Sequence, residues 1–82
     1  MYGLIEPNLT DTDIVELHEL RGPRTTPVPN DFLVRLATHF IEAEIDGVIN
    51  PGRHFAERLG ITRTSVLAYM RMARRRGLIE RS

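Results

Sequence analysis

Cysteine is absent from this 82-residue chain. That excludes disulfide scaffolding, thiolate zinc sites and a cysteine nucleophile. An oxidising compartment is not required, so the cytoplasm is the expected location. No apolar run approaches the roughly 18 residues of a membrane span, and no membrane partner is expected. Residues 1–7 hold no basic stretch leading into an apolar one and do not read as a secretion signal. Catalytic signatures are missing as well. There is no glycine-rich phosphate loop after a strand, no Gly-x-Ser-x-Gly, and no acid pair in a plausible cleft. The chain reads as a non-enzyme without a cofactor. Lysine is also missing, and all eleven basic residues are arginine. GC-rich coding explains this most simply, because it also covers arginines far from any binding face. A preference for bidentate phosphate or guanine contacts is the functional alternative.

A chain this short buries only about 60% of its unfolded surface, which allows one domain with a thin core. The zero net charge hides an asymmetry. Residues 1–50 carry nine acids against Arg21, Arg24 and Arg35, a net −6. Residues 51–82 carry eight arginines against Glu57 and Glu80, a net +6. The basic end is expected to steer toward polyanions.

Four segments follow from the pattern. In residues 1–29, Thr10 and Asp13 form a capping-box pair, with Leu9 and Ile14 as the staple around it. Ile14, Leu17 and Leu20 then recur at helical spacing until Gly22-Pro23. Alternation of Val15 and Leu17 with Glu16 and His18 leaves a strand open at the same place. Gly22 to Pro29 holds three prolines and reads as an extended connector. Residues 30–46 form a helix with Phe32, Leu33, Leu36, Ala37, Phe40, Ile41 and Ile45 as its apolar face, stopped by Gly47. Asn50-Pro51 opens a short helix over 51–59, with Phe55, Ala56 and Leu59 inward and Gly60 closing it. Thr62 caps the last helix, 63–76. Its inner face is Val66, Tyr69, Met70 and Ala73. Gly77 ends it, with Leu78 as the accompanying contact. Leu78 to Ser82 could open a strand.

Two short helices joined by Gly60-Ile61-Thr62 make a helix-turn-helix candidate. Ala56 is small where the helices approach, Gly60 turns the chain and Ile61 plugs the turn. Val66 and Tyr69 are expected to face Phe55 and Leu59. Seven positions in register make the pattern specific.

The stretch Arg53-His54-Phe55-Ala56-Glu57-Arg58-Leu59-Gly60-Ile61-Thr62-Arg63-Thr64-Ser65-Val66, ending in Arg76-Gly77-Leu78-Ile79, resembles the DNA-binding domain of GntR-type winged-helix regulators. It is also similar to the short helix-turn-helix proteins of actinobacteria and their phages. The likeness spans roughly residues 32–81. It implies a phosphate contact for Arg53 and DNA contacts for Arg63 and Thr64. Those regulators continue into a glycine-tipped wing, whereas this sequence ends at Ser82, so a truncated wing and no effector domain are expected.

The chemistry of the residues points the same way. Residues at the start of a recognition helix point into the major groove. Arg63 can bind guanine N7 and O6 with two hydrogen bonds. Thr64 can touch a base edge, and Ala68, one turn on, can sit against a thymine methyl. Arg71 is placed for phosphate. Thr62, Ser65 and the N–H groups of the helix start can also bind phosphate. Arg74, Arg75 and Arg76 have a competing role, since cations at a helix C-terminus stabilise its dipole without any partner. Only some of the three can face one surface, and Arg74 and Arg75 are the candidates. Leu67 reads as a second packing face against the amino-terminal segment. His39 with Glu42, and His54 with Glu57, are one-turn pairs that lack a third ligand for a metal. His39 is expected beside the core and His54 on a solvated face.

The expected fold is therefore mainly α, a three-helix helix-turn-helix unit resembling a winged helix with its wing truncated. Residues 1–29 form an acidic segment and connector, and 30–82 the DNA-binding domain. The expected function is sequence-specific double-stranded DNA binding by a small transcriptional regulator, a repressor or phage control protein. It would act as a homodimer on two half-sites about 34 Å apart. Residues 1–29 are left to dimerise or to recruit a protein partner through their acidic face. Two alternatives stand beside this: a protein-interaction module on the same fold, and an excisionase-like architectural DNA binder.

Overall fold

Each helix begins at a side chain that satisfies its open N–H groups or at a proline that fixes the entry angle. The computed structural model of the protein describes residues 9–79. It contains four helices: α1 (Asp11–Arg21), α2 (Asn30–Ile45), α3 (Pro51–Leu59) and α4 (Arg63–Arg75). The strand alternative for the first segment is not realised, because Thr10 and Asp13 close a full capping box. The Thr10 hydroxyl accepts from Asp13 N–H at 3.1 Å, and Asp13 Oδ2 accepts from Thr10 N–H at 3.1 Å. Leu9 is buried and Ile14 packs beside the core, consistent with a staple around that box.

Asn50 caps α3 in the left-handed region, at φ 53° and ψ 64°, and its Oδ1 accepts from Arg53 N–H at 3.3 Å. Asparagine tolerates that conformation better than most residues, and Pro51 follows where no N–H is needed. At the other end, Gly60 is left-handed at φ 70°. Ala56 O accepts from both Gly60 N–H and Ile61 N–H, so one carbonyl closes the helix and starts the turn. Thr62 then opens α4 by accepting from Ser65 N–H at 3.1 Å. Past α4, Leu78 N–H returns to Ala73 O at 2.9 Å and Gly77 N–H to Arg74 O at 3.1 Å, the paired bonds of a Schellman ending. Leu78 and Ile79 pack against the core rather than opening a strand, and no strand occurs among the described residues. The rest of that expected strand, 80–82, lies outside the described residues.

One core joins all four helices. Phe40 and Phe55 meet edge to face at 5.4 Å, and Phe32 and Tyr69 at 5.0 Å. Leu17 of α1, Leu33 and Leu36 of α2, Phe55 of α3 and Val66 of α4 are fully enclosed. The first helix is thus part of the core. Leu17 lines a small apolar gap of about 40 Å³ together with Phe32, Leu59, Ile61 and Tyr69.

Two expectations about facing are corrected and a third, for Tyr69, holds in part. Ile41 and Ile45 do not belong to the core face of α2; Ile45 is 77% exposed and Ile41 36%. The buried stripe is Phe32, Leu33, Leu36, Ala37, Phe40 and Ala43, and both isoleucines lie round the helix from it. Tyr69 lines the same gap as Leu59, but its ring packs on Phe32 and its hydroxyl accepts from Arg21 Nε at 3.3 Å. His54 is half-buried rather than solvated, with Nε2 enclosed and unpaired.

Candidate nucleic-acid interface

Helix α4 is divided lengthwise by its own spacing. Val66, Met70 and Ala73 are buried. On the opposite side, Thr64, Ala68, Arg71 and Arg75 recur at i, i+4, i+7 and i+11, which makes one straight stripe. Thr64, Arg71 and Arg75 are exposed and Ala68 is half-exposed. A small residue between a threonine and two arginines leaves room for another surface to approach the helix axis closely.

The helix start is built from two hydroxyls. Thr62 Oγ1 caps the helix and also donates to Ser65 Oγ at 3.0 Å. Thr62 has therefore spent its proton inside the turn, while the Ser65 hydroxyl proton remains to donate. The first N–H groups of α4 face the same end, where the helix dipole is positive.

Arg63 occupies the flank of α4 toward α3. The reason is Gly52, a buried residue of α3. A Cβ placed there would lie 3.4 Å from Leu67 Cδ2 and 3.6 Å from both Arg63 Cγ and Nε. The missing side chain lets the Arg63 stem lie along the start of α3. Leu67 packs here too, with Cδ2 beside Gly52 of α3. Arg53 follows Gly52 directly, so Arg53 and Arg63 issue from one corner where two helix N-termini meet. Arg53 is 70% exposed and pairs with Glu57 at 3.4 Å. Arg74 follows Leu67 by two turns and lies on the Arg63 flank.

Intramolecular pairing sorts the arginines. Arg58 donates to Leu9 O at 3.2 Å and Asp11 Oδ1 at 3.0 Å, tying α3 to the start of α1. Arg76 donates to Val28 O at 2.7 Å and Asn30 Oδ1 at 2.8 Å, tying the end of α4 to the start of α2. Arg21 donates to Tyr69, Pro23 O and Thr26 O, and Arg35 lies 3.4 Å from Glu16. Among the described residues, Arg63, Arg71, Arg74 and Arg75 have no acidic partner, and α4 contains no acid. Arg24 is exposed and unpaired in the same sense. It sits in the turn that Arg21 holds beside Tyr69, which is the other flank of α4. The sequence reading missed both Gly52 and Arg24. Nothing in the local pattern marks either one, because each matters only through a neighbour from another segment.

The acids gather elsewhere. On the seam of α1 and α2, Asp13, Glu16 and His39 bring ligand atoms within 4.8 Å of one another. His39 Nε2 lies 3.8 Å from Asp13 Oδ1, and Nδ1 lies 3.8 Å from Glu42 Oε1. Arg35 pairs with Glu16 across the two helices, and His39 Nε2 is enclosed without a hydrogen-bond partner. Asp13 is held below its ordinary carboxyl value, chiefly by the Thr10 N–H it accepts, with smaller help from His39 and Arg35.

No helix among the described residues is long and apolar enough to cross a membrane. Comparison with protein-family models, curated proteins and solved structures finds no match to this chain.

Proposed function

We propose that the chain binds double-stranded DNA, with α3 and α4 as a helix-turn-helix pair and α4 laid in the major groove. The observation that carries this reading is the distribution of unpaired charge. The arginines off α4 are mostly engaged within the molecule, whereas four on α4 are not, and that helix has no acid to oppose them. Arg74 and Arg75 can serve the C-terminal dipole of α4, but four exposed like charges on one acid-free helix repel one another, while a phosphate backbone offers a partner to each guanidinium. Thr64 and Ala68 take the positions nearest the base edges. Arg63 supplies a bidentate guanine contact, worth about 1–3 kcal/mol of discrimination. Arg71, Arg74 and Arg75 contact phosphate, with Arg53 and Arg24 on either side. The reading is of a binding protein rather than an enzyme, acting in transcriptional control.

Selection from a random duplex pool at moderate salt tests it. An enriched motif with G·C pairs, degraded by Arg63→Ala, is the expected result. Arg71→Ala and Arg75→Ala should each flatten the salt dependence by about 0.9 in log–log slope while sparing the motif. Retention without enrichment would reduce the function to electrostatic binding. No retention at low salt would overturn the DNA reading in favour of a protein partner for the acidic half.

A further inference from the structure

Helix α2 carries a second apolar stripe that the fold leaves uncovered. Val34 is 42% exposed, Ile41 36% and Ile45 77%, and Ile49, just past the helix, is 91% exposed. Single exposed aliphatic residues need no explanation. These are not scattered. Val34, Thr38, Ile41 and Ile45 follow a four-three-four spacing, the seam of two helices packed as a coiled coil. Thr38 fits that seam because its hydroxyl already donates to Val34 O at 2.8 Å. Covering it would strand no polar group, and its methyl is left for contact. We propose that this stripe is the interface between two copies of this chain, paired antiparallel along α2 about a two-fold axis.

Charge selects the partner and its direction. Arg35 and Glu42 flank the stripe on the side facing α1, as their neighbours Glu16 and His39 show. In an antiparallel pair centred between Thr38 and Ile41, Val34 of one copy meets Ile45 of the other. The same operation sets Arg35 of each copy near Glu42 of the other, twice over. A parallel pair, related by an axis along the helices, would put this flank of the two copies on opposite sides of the seam, and Arg35 and Glu42 would not meet. The exposed side chains of the stripe together with Ile49 leave roughly 400–500 Å² of apolar surface per copy, the size of the largest patch on a typical monomer, which is often functional. Two such faces with their polar borders come close to the lower bound of a specific interface, about 1,200 Å² in total. That size suits a concentration-dependent dimer. The stripe lies on α2, away from the outward stripe of α4, so pairing leaves both α4 helices open. The inference moves the dimer surface from residues 1–29 to α2. It does not depend on DNA binding and is tested without DNA.

Sedimentation equilibrium of the full chain is the first measurement, over roughly 1–300 µM, the range expected for a small interface. The wild type should pass from monomer to dimer. Ile45→Glu should weaken the dimer by at least about tenfold, the size of one interface hot spot. Val15→Glu, at an exposed apolar position on α1, should not. Glu42→Arg should weaken the dimer, and adding Arg35→Glu should restore it. The lack of native cysteine permits a direct test of orientation. Mixing Val34→Cys chains with Ile45→Cys chains under mild oxidation should give mainly the mixed disulfide. A monomer at every concentration would overturn the proposal, as would a dimer indifferent to Ile45→Glu. So would a monomeric wild type that loses stability on Ile45→Glu, because the chain itself would then cover the stripe. Like-with-like disulfides would overturn the antiparallel arrangement.

Discussion

Replacing Leu17 with alanine asks whether α1 is built into the domain or merely rests on it. Leu17 is fully enclosed and lines one gap with Phe32, Leu59, Ile61 and Tyr69, residues of the three other helices and the α3–α4 turn. Deleting its isobutyl group loses about 2 kcal/mol of transfer energy and leaves a cavity costing about 1–2 more. The gap already beside it makes collapse of the walls less complete, which favours the upper end. A loss of about 3–4 kcal/mol is a large fraction of the stability expected of so small a domain, and corresponds to a melting temperature lower by about 12–32 °C. Urea unfolding followed by far-ultraviolet circular dichroism measures it directly. One cooperative transition with an unchanged slope and an earlier midpoint is the expected result. Val15→Ala, at a position 56% exposed on the same helix, should change stability by less than about 0.5 kcal/mol. If Leu17→Ala cost under about 1 kcal/mol, or split the unfolding into two steps, the single four-helix core would be refuted.

Three further outcomes are expected. Asn50→Ala should cost about 1–3 kcal/mol in chemical unfolding, since it removes the α3 cap and puts a Cβ-bearing residue without a local hydrogen bond at φ 53°, while Asn50→Gly should cost only a few tenths; equal losses would contradict the strained-cap reading. Arg76→Ala should lower stability by about 1 kcal/mol through its contacts to Val28 O and Asn30 and leave the DNA salt slope unchanged, whereas Arg75→Ala should do the reverse. Asp13 has a folded-state pKa below its unfolded value, so its contribution is fully present above about pH 4 and lost as pH falls through the lowered value. The urea-midpoint gap between wild type and Asp13→Asn should therefore narrow below pH 4, and a gap that persisted to strong acid would refute this.

Local signals carried the secondary structure well. Thr10 with Asp13, Asn50 with Pro51, and Gly60 and Gly77 are punctuation read within four residues, and each sits where that reading placed it. The inner face of α4 was legible for the same reason. Ile41 and Ile45 were misplaced because helical spacing says which residues share a face, not how many faces a neighbour covers. α2 has 16 residues and two apolar faces, and only one meets the core. The roles of the arginines were the least legible. Arg58, Arg76 and Arg21 bind partners 46 to 49 positions away, a separation at which sequence pattern is silent.

Those long-range contacts change what the basic half of the chain means. By composition, residues 51–82 are uniformly positive. In the fold, Arg58 and Arg76 act as clamps that bring α1 and the start of α2 against the two ends of the α3–α4 pair. The acidic half is therefore not a separate repelled body; part of its charge and backbone is used to hold α4 in place. The core takes the Val66, Met70 and Ala73 side of α4 and Arg76 anchors its C-terminal end, which leaves Thr64, Ala68, Arg71 and Arg75 on the outward side. Losing a clamp and losing an outward arginine should then be separable, the first in unfolding and the second in binding. A chain that used all its arginines for one purpose would not show that separation.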